Sequence, residues 1–129
     1  HVLALLLNRG LDFITCNRLS MMDPNAMSMT HKVGNWSLTQ ATNILHGIHI
    51  HDSQSGMWIF RRCILKEIRL TSDGMPLSEE IKIETFRRGL NVLEIPVEYR
   101  ARIGDVKLNT MEDGIRNLWF LLTKMADFQ

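Results

Sequence analysis

The stretch Asp52-Ser53-Gln54-Ser55-Gly56, followed by Met57-Trp58-Ile59-Phe60-Arg61-Arg62, is the most informative part of the chain. Short polar side chains beside a glycine are typical of a tight turn in which the backbone comes close to a ligand. The aromatic, apolar residues after the turn predict a strand. Arg61 and Arg62 close it with planar cationic donors suited to phosphate oxygens. The stretch therefore predicts a polar turn that enters a strand, near a phosphate-containing ligand.

Helix and strand patterns alternate on both sides of this turn and predict one α/β unit. Upstream they predict a helix over 2–9, a strand over 11–16, a methionine-rich loop over 19–30 and a helix over 30–46. Downstream they predict a short helix over 63–68, a helix over 79–88 with Ser78 as its cap, a strand over 91–99 and a last helix over 110–128. Pro96 inside a strand pattern indicates an edge position or a bulge.

Two of the predicted helices carry apolar residues at helical spacing, which we expect to face the core. These residues are Val33, Trp36, Leu38, Ile44 and Leu45 in the first of them, and Ile115, Leu118, Trp119, Leu122 and Met125 in the last helix. Packing against the sheet is the simpler expectation for the last helix, and contact with a membrane surface is the alternative.

The composition is that of an ordinary globular domain, with 45% hydrophobic and 22% charged residues among 129. A formal net charge of +1 gives no overall attraction to nucleic acid or anionic lipid, so we expect no nucleic-acid partner. Cys16 and Cys63 offer no disulfide framework, which indicates a reduced, cytoplasmic setting, and Cys16 is expected to be buried. No apolar run reaches the ~20 residues of a membrane span, and no signal peptide is visible.

Seven short segments between residues 10 and 118 form an ordered series around the central turn. They are TCNRLS (15–20), HKVGN (31–35), DSQSG (52–56), TSDGM (71–75), RRGL (87–90), EIPVEYR (94–100) and RIGDVKL (102–108). In this order they resemble the C-terminal half of a family 2 glycosyltransferase of the polyprenyl-phosphate (dolichol-phosphate mannose synthase-like) kind.

The resemblance implies the C-terminal half of a GT-A-like (nucleotide-diphospho-sugar transferase) fold, an α/β structure with a mixed sheet and flanking helices. Residues 1–129 would be a single partial domain, and the nucleotide-binding half with its Asp-X-Asp motif would precede His1. The whole enzyme would transfer a sugar from a nucleotide-sugar donor, with inversion, to a lipid phosphate or another glycan acceptor. It would use a divalent cation, Mg²⁺ or Mn²⁺, with ligands mostly outside this chain. We expect the enzyme in the cytoplasm, where it could contact the cytoplasmic face of a membrane peripherally. Its product would serve the assembly of cell-envelope glycans.

The resemblance also assigns roles to individual residues. Arg102 and Lys107 match the family's basic loop, which closes on the diphosphate leaving group. Asp52 lies on the acceptor side, where a carboxylate can orient or deprotonate an acceptor hydroxyl. Arg18 and His31 flank the methionine-rich loop, where the family binds its acceptor.

Further candidates lie in and after the turn. Gln54 and Ser55 could hydrogen-bond sugar or phosphate, or satisfy backbone groups of the turn. Gly56 would let the backbone approach the substrate, and Arg61 is a candidate phosphate contact.

Other interpretations stay open at this point. Arg102 and Lys107 could be solvated charges on an exposed loop. Asp73 and Glu80 are weaker acidic candidates, which helix capping and a solvated helix face explain. His49 and His51 could hold a metal, although no further ligand stands at the usual spacing. The chain by itself could also be an inactive fragment that binds an anion or a partner.

Overall fold

The computed structural model describes residues 1–100 and 110–126. In this part of the chain the elements are α1 (Val2–Asn8), β1 (Phe13–Met22), α2 (Met29–His46), β2 (Trp58–Phe60), a 3-10 helix (Arg62–Lys66), α3 (Met75–Arg87), β3 (Val92–Tyr99) and α4 (Thr110–Ala126). A mixed sheet with flanking helices confirms the predicted fold class and is compatible with part of a GT-A-like fold.

Within the described residues the sheet has the order β2-β1-β3, with β1 antiparallel to β2 and parallel to β3. Phe13 on the central strand pairs with Phe60 on one side and with Val92 on the other. Pro96 lies on β3 opposite Asn17, where the register with β1 begins to shift. This position at an edge strand and next to an irregularity confirms the interpretation of Pro96, which has no N–H to donate.

Two apolar clusters form the core, and α3 contributes to both. One is built on Phe13, Ile64, Ile68 and Ile81, and the other on Ile48, Ile50, Ile83 and Leu121. Because Ile81 and Ile83 belong to different clusters, α3 is covered on more than one side. Its charged residues Glu79, Glu80, Lys82 and Glu84 are therefore buried, each at most 1% exposed.

Two element boundaries differ from the predictions. β1 continues to Met22, although a loop was predicted from residue 19, because β3 supplies backbone partners as far as Met22 opposite Tyr99. α3 begins at Met75 and not at Glu79, with Gly74 as its N-cap at a φ of 66°. Pro76 then stands in the first turn, where its missing N–H has no cost.

The predicted solvated position of Glu80 is wrong. Its carboxylate is fully buried and accepts hydrogen bonds from the backbone N–H groups of Thr71 and Ser72. The Lys124 ammonium on α4 lies 2.8 Å away. Asp73 is exposed and does not cap α3, since the N-cap residue is Gly74.

The predicted inward orientation of the two apolar helix faces is also wrong for most of their residues. On α2, Leu38 and Leu45 pack against the core, but Trp36 is 60% and Ile44 79% exposed. On α4 the exposed apolar residues are Met111, Ile115, Leu118, Trp119 and Leu122. The buried side of α4 carries Asn117, Leu121 and Lys124, so two of its three residues are polar. This side faces the core because Lys124 pairs with Glu80 on α3 and Asn117 donates to Gln54 in the central turn.

The two cysteines differ in burial, and the helices were also compared with the length of a membrane span. Cys16 is buried at 8% exposure, as predicted, and Cys63 is exposed. Among the described helices, none combines the length and the apolar character that a membrane span requires.

Candidate functional site

The turn of residues 52–55 is buried and lies between α2 and β2. Lys82 of α3 reaches it from below, and its Nζ donates to the backbone carbonyls of Asp52 at 2.7 Å, Ser53 at 2.9 Å and Ser55 at 2.8 Å. An ammonium has three N–H donors, so these three bonds use its full capacity. Burial lowers the pKa of Lys82 to about 8. The lysine thus sets the path of the turn by holding its carbonyls.

Glu94 of β3 holds the N–H groups of the same segment. Its carboxylate accepts from the His51 backbone N–H at 2.9 Å and from the Asp52 backbone N–H at 3.0 Å. A cation therefore binds the carbonyls of the turn while an anion binds its N–H groups. This arrangement compensates buried backbone dipoles that the turn cannot pair internally.

Asp52 forms a two-point ion pair with Arg18 of β1. Arg18 Nε lies 2.8 Å from Oδ2 and its Nη2 lies 3.0 Å from Oδ1, and the Arg18 backbone N–H also donates to Oδ2. Burial opposes ionisation of Asp52, but the hydrogen bonds and charge of Arg18 outweigh it and hold the pKa below its usual value. A carboxylate in this state is a weak proton acceptor and a firm support for the guanidinium.

We expect Asp52→Asn to lower the free energy of unfolding at pH 7 by about 3 kcal/mol, because the largely buried Arg18 charge loses its counter-ion. The pKa of Asp52 is lowered in the folded state, so its contribution is present above the usual carboxyl pKa and is lost as the pH falls through the folded value. The difference between the two proteins should therefore shrink at low pH. Urea unfolding at several pH values measures it, with the exposed Asp73→Asn as control; a loss as small as that of the control would contradict the expectation.

Glu79 of α3 lies against the turn. Its Oε1 accepts hydrogen bonds from Gln54 Nε2, from the Ser53 hydroxyl at 3.4 Å and from the Thr42 hydroxyl at 3.5 Å. Burial raises the pKa of this carboxyl to about 8 despite these donors. The turn is thus linked to α3 through a buried carboxylic acid as well as through Lys82.

A cavity of about 340 Å³ opens beside the turn, between α2 and α4. Its lining combines cationic, anionic, amide and apolar groups: Arg18, Ala26, Met27, Ser28, His31, Gly34, Asn35, Leu38, Gln54, Met75, Tyr99, Asp113, Gly114 and Asn117. The volume lies in the range of small-molecule sites, about 300–1,000 Å³. A cation at one part of the wall and methionine and leucine side chains at another suit a ligand with an anionic head and an apolar chain.

Two glycines keep this cavity open from opposite helices. Gly34 of α2 and Gly114 of α4 both line it, and a Cβ added at either would meet no heavy atom within 4 Å. A glycine inside a helix costs about 1 kcal/mol relative to alanine. Packing therefore does not require a glycine at either position, and both glycines leave room in the cavity.

The structure brings three of the predicted site residues to this cavity, namely Arg18, His31 and Gln54. Asp52 stands behind them and contacts the cavity through Arg18. His31 lies in the first turn of α2, where its Nδ1 is 2.6 Å from the hydroxyl of the N-cap Ser28. The functional roles of these residues stay predictions.

The other predicted residues lie elsewhere. Ser55 is fully buried inside the turn and accepts from the Met57 N–H, while Gly56 is exposed beyond it. Arg61 donates to the backbone carbonyl of Leu11 at 2.7 Å and stands outside the cavity lining. Arg102 and Lys107 fall outside the described residues, so the assignment of the basic loop stays a prediction.

Sequence reasoning missed Lys82 and Asn117. Lys82 could have been noticed, because it interrupts the apolar pair Ile81 and Ile83, and a charge in such a run is either solvated or specifically paired. Asn117 carries no comparable signal, since an asparagine on an amphipathic helix is normally expected to face water.

The histidines after α2 are arranged differently from a metal site. His51 Nδ1 lies 2.7 Å from Glu94 Oε2, and His49 is exposed. In the part of the chain that the structure describes, no three His, Cys, Asp or Glu side chains are grouped so that they could hold a metal ion.

Comparison with known proteins gives the chain relatives among archaeal glycosyltransferases. It is 32% identical over 109 residues to the dolichyl-phosphate hexose transferase of Haloferax volcanii, covering 84% of this chain and 47% of that protein. It is 32% identical over 110 residues to glycosyltransferase AglJ of the same organism, covering 84% of this chain and 36% of AglJ. A third relative is the UDP-N-acetylglucosamine–dolichyl-phosphate N-acetylglucosaminyltransferase of Methanococcus voltae, 32% identical over 85 residues, which are 66% of this chain and 30% of that protein.

The chain spans less than half of the length of each of these relatives. No protein-family profile matches it, and no solved structure matches it significantly. The relatives confirm the resemblance that the ordered motifs indicated. The chain therefore belongs to the glycosyltransferase family of these proteins and is homologous to a part of each of them.

Proposed function

We propose that this chain forms the acceptor-binding side of a family 2 hexosyltransferase, which transfers a hexose from a nucleotide-sugar to a polyprenyl phosphate. The observation that carries the proposal is the cavity between α2 and α4, which joins a guanidinium to an apolar wall. Two of the relatives are named for dolichyl phosphate, which supports it.

The cavity suits both ends of such an acceptor. The phosphate would lie against Arg18, whose guanidinium has five N–H donors, of which the pair with Asp52 uses two. The first isoprene units would contact Met27, Leu38 and Met75. Methionine side chains adapt well to an irregular hydrocarbon chain.

The reaction would be a displacement at the anomeric carbon of the hexose. A phosphate oxygen of the acceptor attacks this carbon, and the bond to the nucleotide diphosphate breaks on the opposite side. A phosphate acceptor is already anionic and needs no base, so Asp52 would act by orienting Arg18. This fits its low pKa and its two-point pairing.

Stabilisation of the diphosphate leaving group falls to residues that the structure does not describe. We assign Arg102 and Lys107 to this role, because positive charge is needed where the anion develops. A bound Mg²⁺ or Mn²⁺ would supply further charge there. Its ligands would lie mostly outside this chain.

Contact with the cytoplasmic face of a membrane is a further part of the proposal. A polyprenyl chain resides in the bilayer, so its phosphate must be met at the surface. The outward face of α4 presents Ile115 at 67% and Trp119 at 69% exposure, beside Leu118 and Leu122. An amphipathic helix with an exposed aromatic residue suits an interfacial position.

A second candidate concerns the chain by itself, as a module that binds the acceptor or another anion without catalysing transfer. The exposed Leu3 and Leu7 side chains of α1, which a partner could cover, favour this. Incubation with nucleotide-hexoses and a polyprenyl phosphate distinguishes the two: turnover by this chain alone would reject the inactive-module reading.

Geranyl phosphate, a soluble short-chain isoprenyl phosphate, tests the cavity directly. We expect it to bind saturably and to shift the methyl signals of Met27 and Met75 in NMR spectra. In Gly34→Ala the added methyl group occupies the cavity, so the affinity should fall at least fivefold. The free energy of unfolding should rise by about 1 kcal/mol, because alanine is the better helix residue.

Ser37→Ala, on the exposed side of α2, is the matched control and should leave affinity unchanged. Geraniol, which lacks the phosphate, should bind much more weakly. Equal affinity of Gly34→Ala and the unmodified chain, or no preference for the phosphate over the alcohol, would contradict the proposed acceptor site.

A further inference from the structure

The orientation of the Gln54 amide is determined by its neighbours. Its Nε2 donates to Glu79 Oε1 and to the Ser53 hydroxyl, the latter at 2.9 Å. Both N–H bonds of the amide are then in use. The Gln54 oxygen must therefore point the other way, toward α4.

This orientation in turn determines that of Asn117. Asn117 Nδ2 donates to Gln54 Oε1 at 2.8 Å, which requires its NH₂ group to face the turn. The Asn117 oxygen is consequently held away from Gln54. Asn117 is 1% exposed and lines the cavity, and its Oδ1 has no hydrogen-bond partner among the described residues. Gly114, one turn earlier on α4, also lines the cavity.

A buried acceptor without a donor is costly, about 1–3 kcal/mol, and a donor group of a bound ligand would remove this cost. A phosphate oxygen cannot be this donor, because at neutral pH a phosphate monoester carries nearly two negative charges and offers acceptors. A neutral hydroxyl can. The cavity therefore has two chemically different places, the Arg18 guanidinium for an anion and the Asn117 oxygen for a hydroxyl.

We propose that Asn117 Oδ1 is a specificity contact that accepts a hydrogen bond from a hydroxyl of the transferred hexose. This inference rests on the proposed function, whose lipid acceptor has no hydroxyl while its donor sugar has several. The hexose is favoured over the ribose of the nucleotide, since the carbon under attack must adjoin the acceptor phosphate. The diphosphate separates the ribose from that position.

Binding of a hexose 1-phosphate tests the contact when the Asn117 side chain and the hydroxyls of the sugar are removed separately and together. We use mannose 1-phosphate and glucose 1-phosphate, each with the monodeoxy analogue at every hydroxyl, and measure Kd by NMR titration. For the unmodified chain, one deoxy analogue should bind about tenfold more weakly than its parent, the worth of one hydrogen bond. Asn117→Leu should bind the parent about tenfold more weakly and should not distinguish it from that analogue.

If Asn117 had a purely structural role, Asn117→Leu would still distinguish the parent sugar phosphate from its deoxy analogue. Asn117→Ser, with a smaller polar side chain, repeats the test if the leucine variant folds poorly. Asn8→Leu, on the exposed end of α1, serves as the control and should behave as the unmodified chain.

Geranyl phosphate separates failure of this inference from failure of the proposed function. Its affinity should stay within twofold in Asn117→Leu. If it binds but the hexose 1-phosphates do not, or if every deoxy penalty persists in Asn117→Leu, the Asn117 contact is overturned and the acceptor site stands. If geranyl phosphate does not bind either, the proposed function fails as well.

Discussion

Lys82→Met is expected to lower the free energy of unfolding by about 4 kcal/mol, because three buried backbone carbonyls lose their donor. Methionine matches the length of the lysine stem, so the loss of the ammonium, and not a cavity, is the principal change. The turn of residues 52–55 should loosen, since its backbone carbonyls then have no donor, and only its N–H groups and side chains stay bound, by Glu94, Arg18 and Glu79. Urea unfolding at pH 7 gives the free energy, and amide hydrogen exchange at Ser53 and Ser55 reports the local opening.

Lys66→Met provides the matched control, because Lys66 is exposed at the end of the 3-10 helix. It should change the free energy of unfolding by less than about 0.5 kcal/mol. If Lys82→Met lost no more than this, the carbonyl contacts would not support the turn in the way that the structure indicates.

Glu79→Gln is expected to stabilise the protein increasingly as the pH rises. The folded state raises the pKa of Glu79 from 4.5 to about 8, so it keeps a proton that the unfolded chain releases between these values. The contribution of Glu79 to the stability of the unmodified protein therefore falls as the pH increases through this range, by about 4 kcal/mol in all. Glutamine has no proton to lose and still offers an oxygen to Gln54, Ser53 and Thr42.

The measurement compares the two proteins by urea unfolding from pH 4.5 to pH 8, the range set by the two pKa values. The difference in free energy should be small at the lower limit and reach about 4 kcal/mol at the upper. Glu67→Gln, at an exposed position, is the control and should show no such trend. A constant difference across the range would show that Glu79 is ionised in the folded protein.

Much of the fold could be predicted because its signals are local. Alternating apolar residues placed the strands, glycines ended the helices, and Pro96 indicated the edge strand. The central turn was recognised for the same reason, since Asp52 and the next few residues are of types that predict a polar turn. Its contacts with Arg18, Lys82 and Glu94 were not foreseen, because they lie 34, 30 and 42 positions away in sequence.

The prediction of which face of α4 points to the core was wrong for a related reason. Periodicity identifies two faces of α4 but assumes that the apolar one turns inward. Here Lys124 pairs with Glu80 at 2.8 Å and Asn117 bonds Gln54, so polar contacts hold the other face against the core. Such pairs cannot be recognised until both partners are placed in space.

The sequence alone determined three features of this chain: its α/β class, its order of helices and strands, and its kinship with polyprenyl-phosphate glycosyltransferases. All three depend on patterns within short segments. The tertiary structure decided which charges are buried together, which face of α4 is exposed and how Gly34, Gly114 and Asn117 enclose one cavity with Arg18. These features depend on distances between groups far apart in the chain, and such distances are set only when the two core clusters pack around α3.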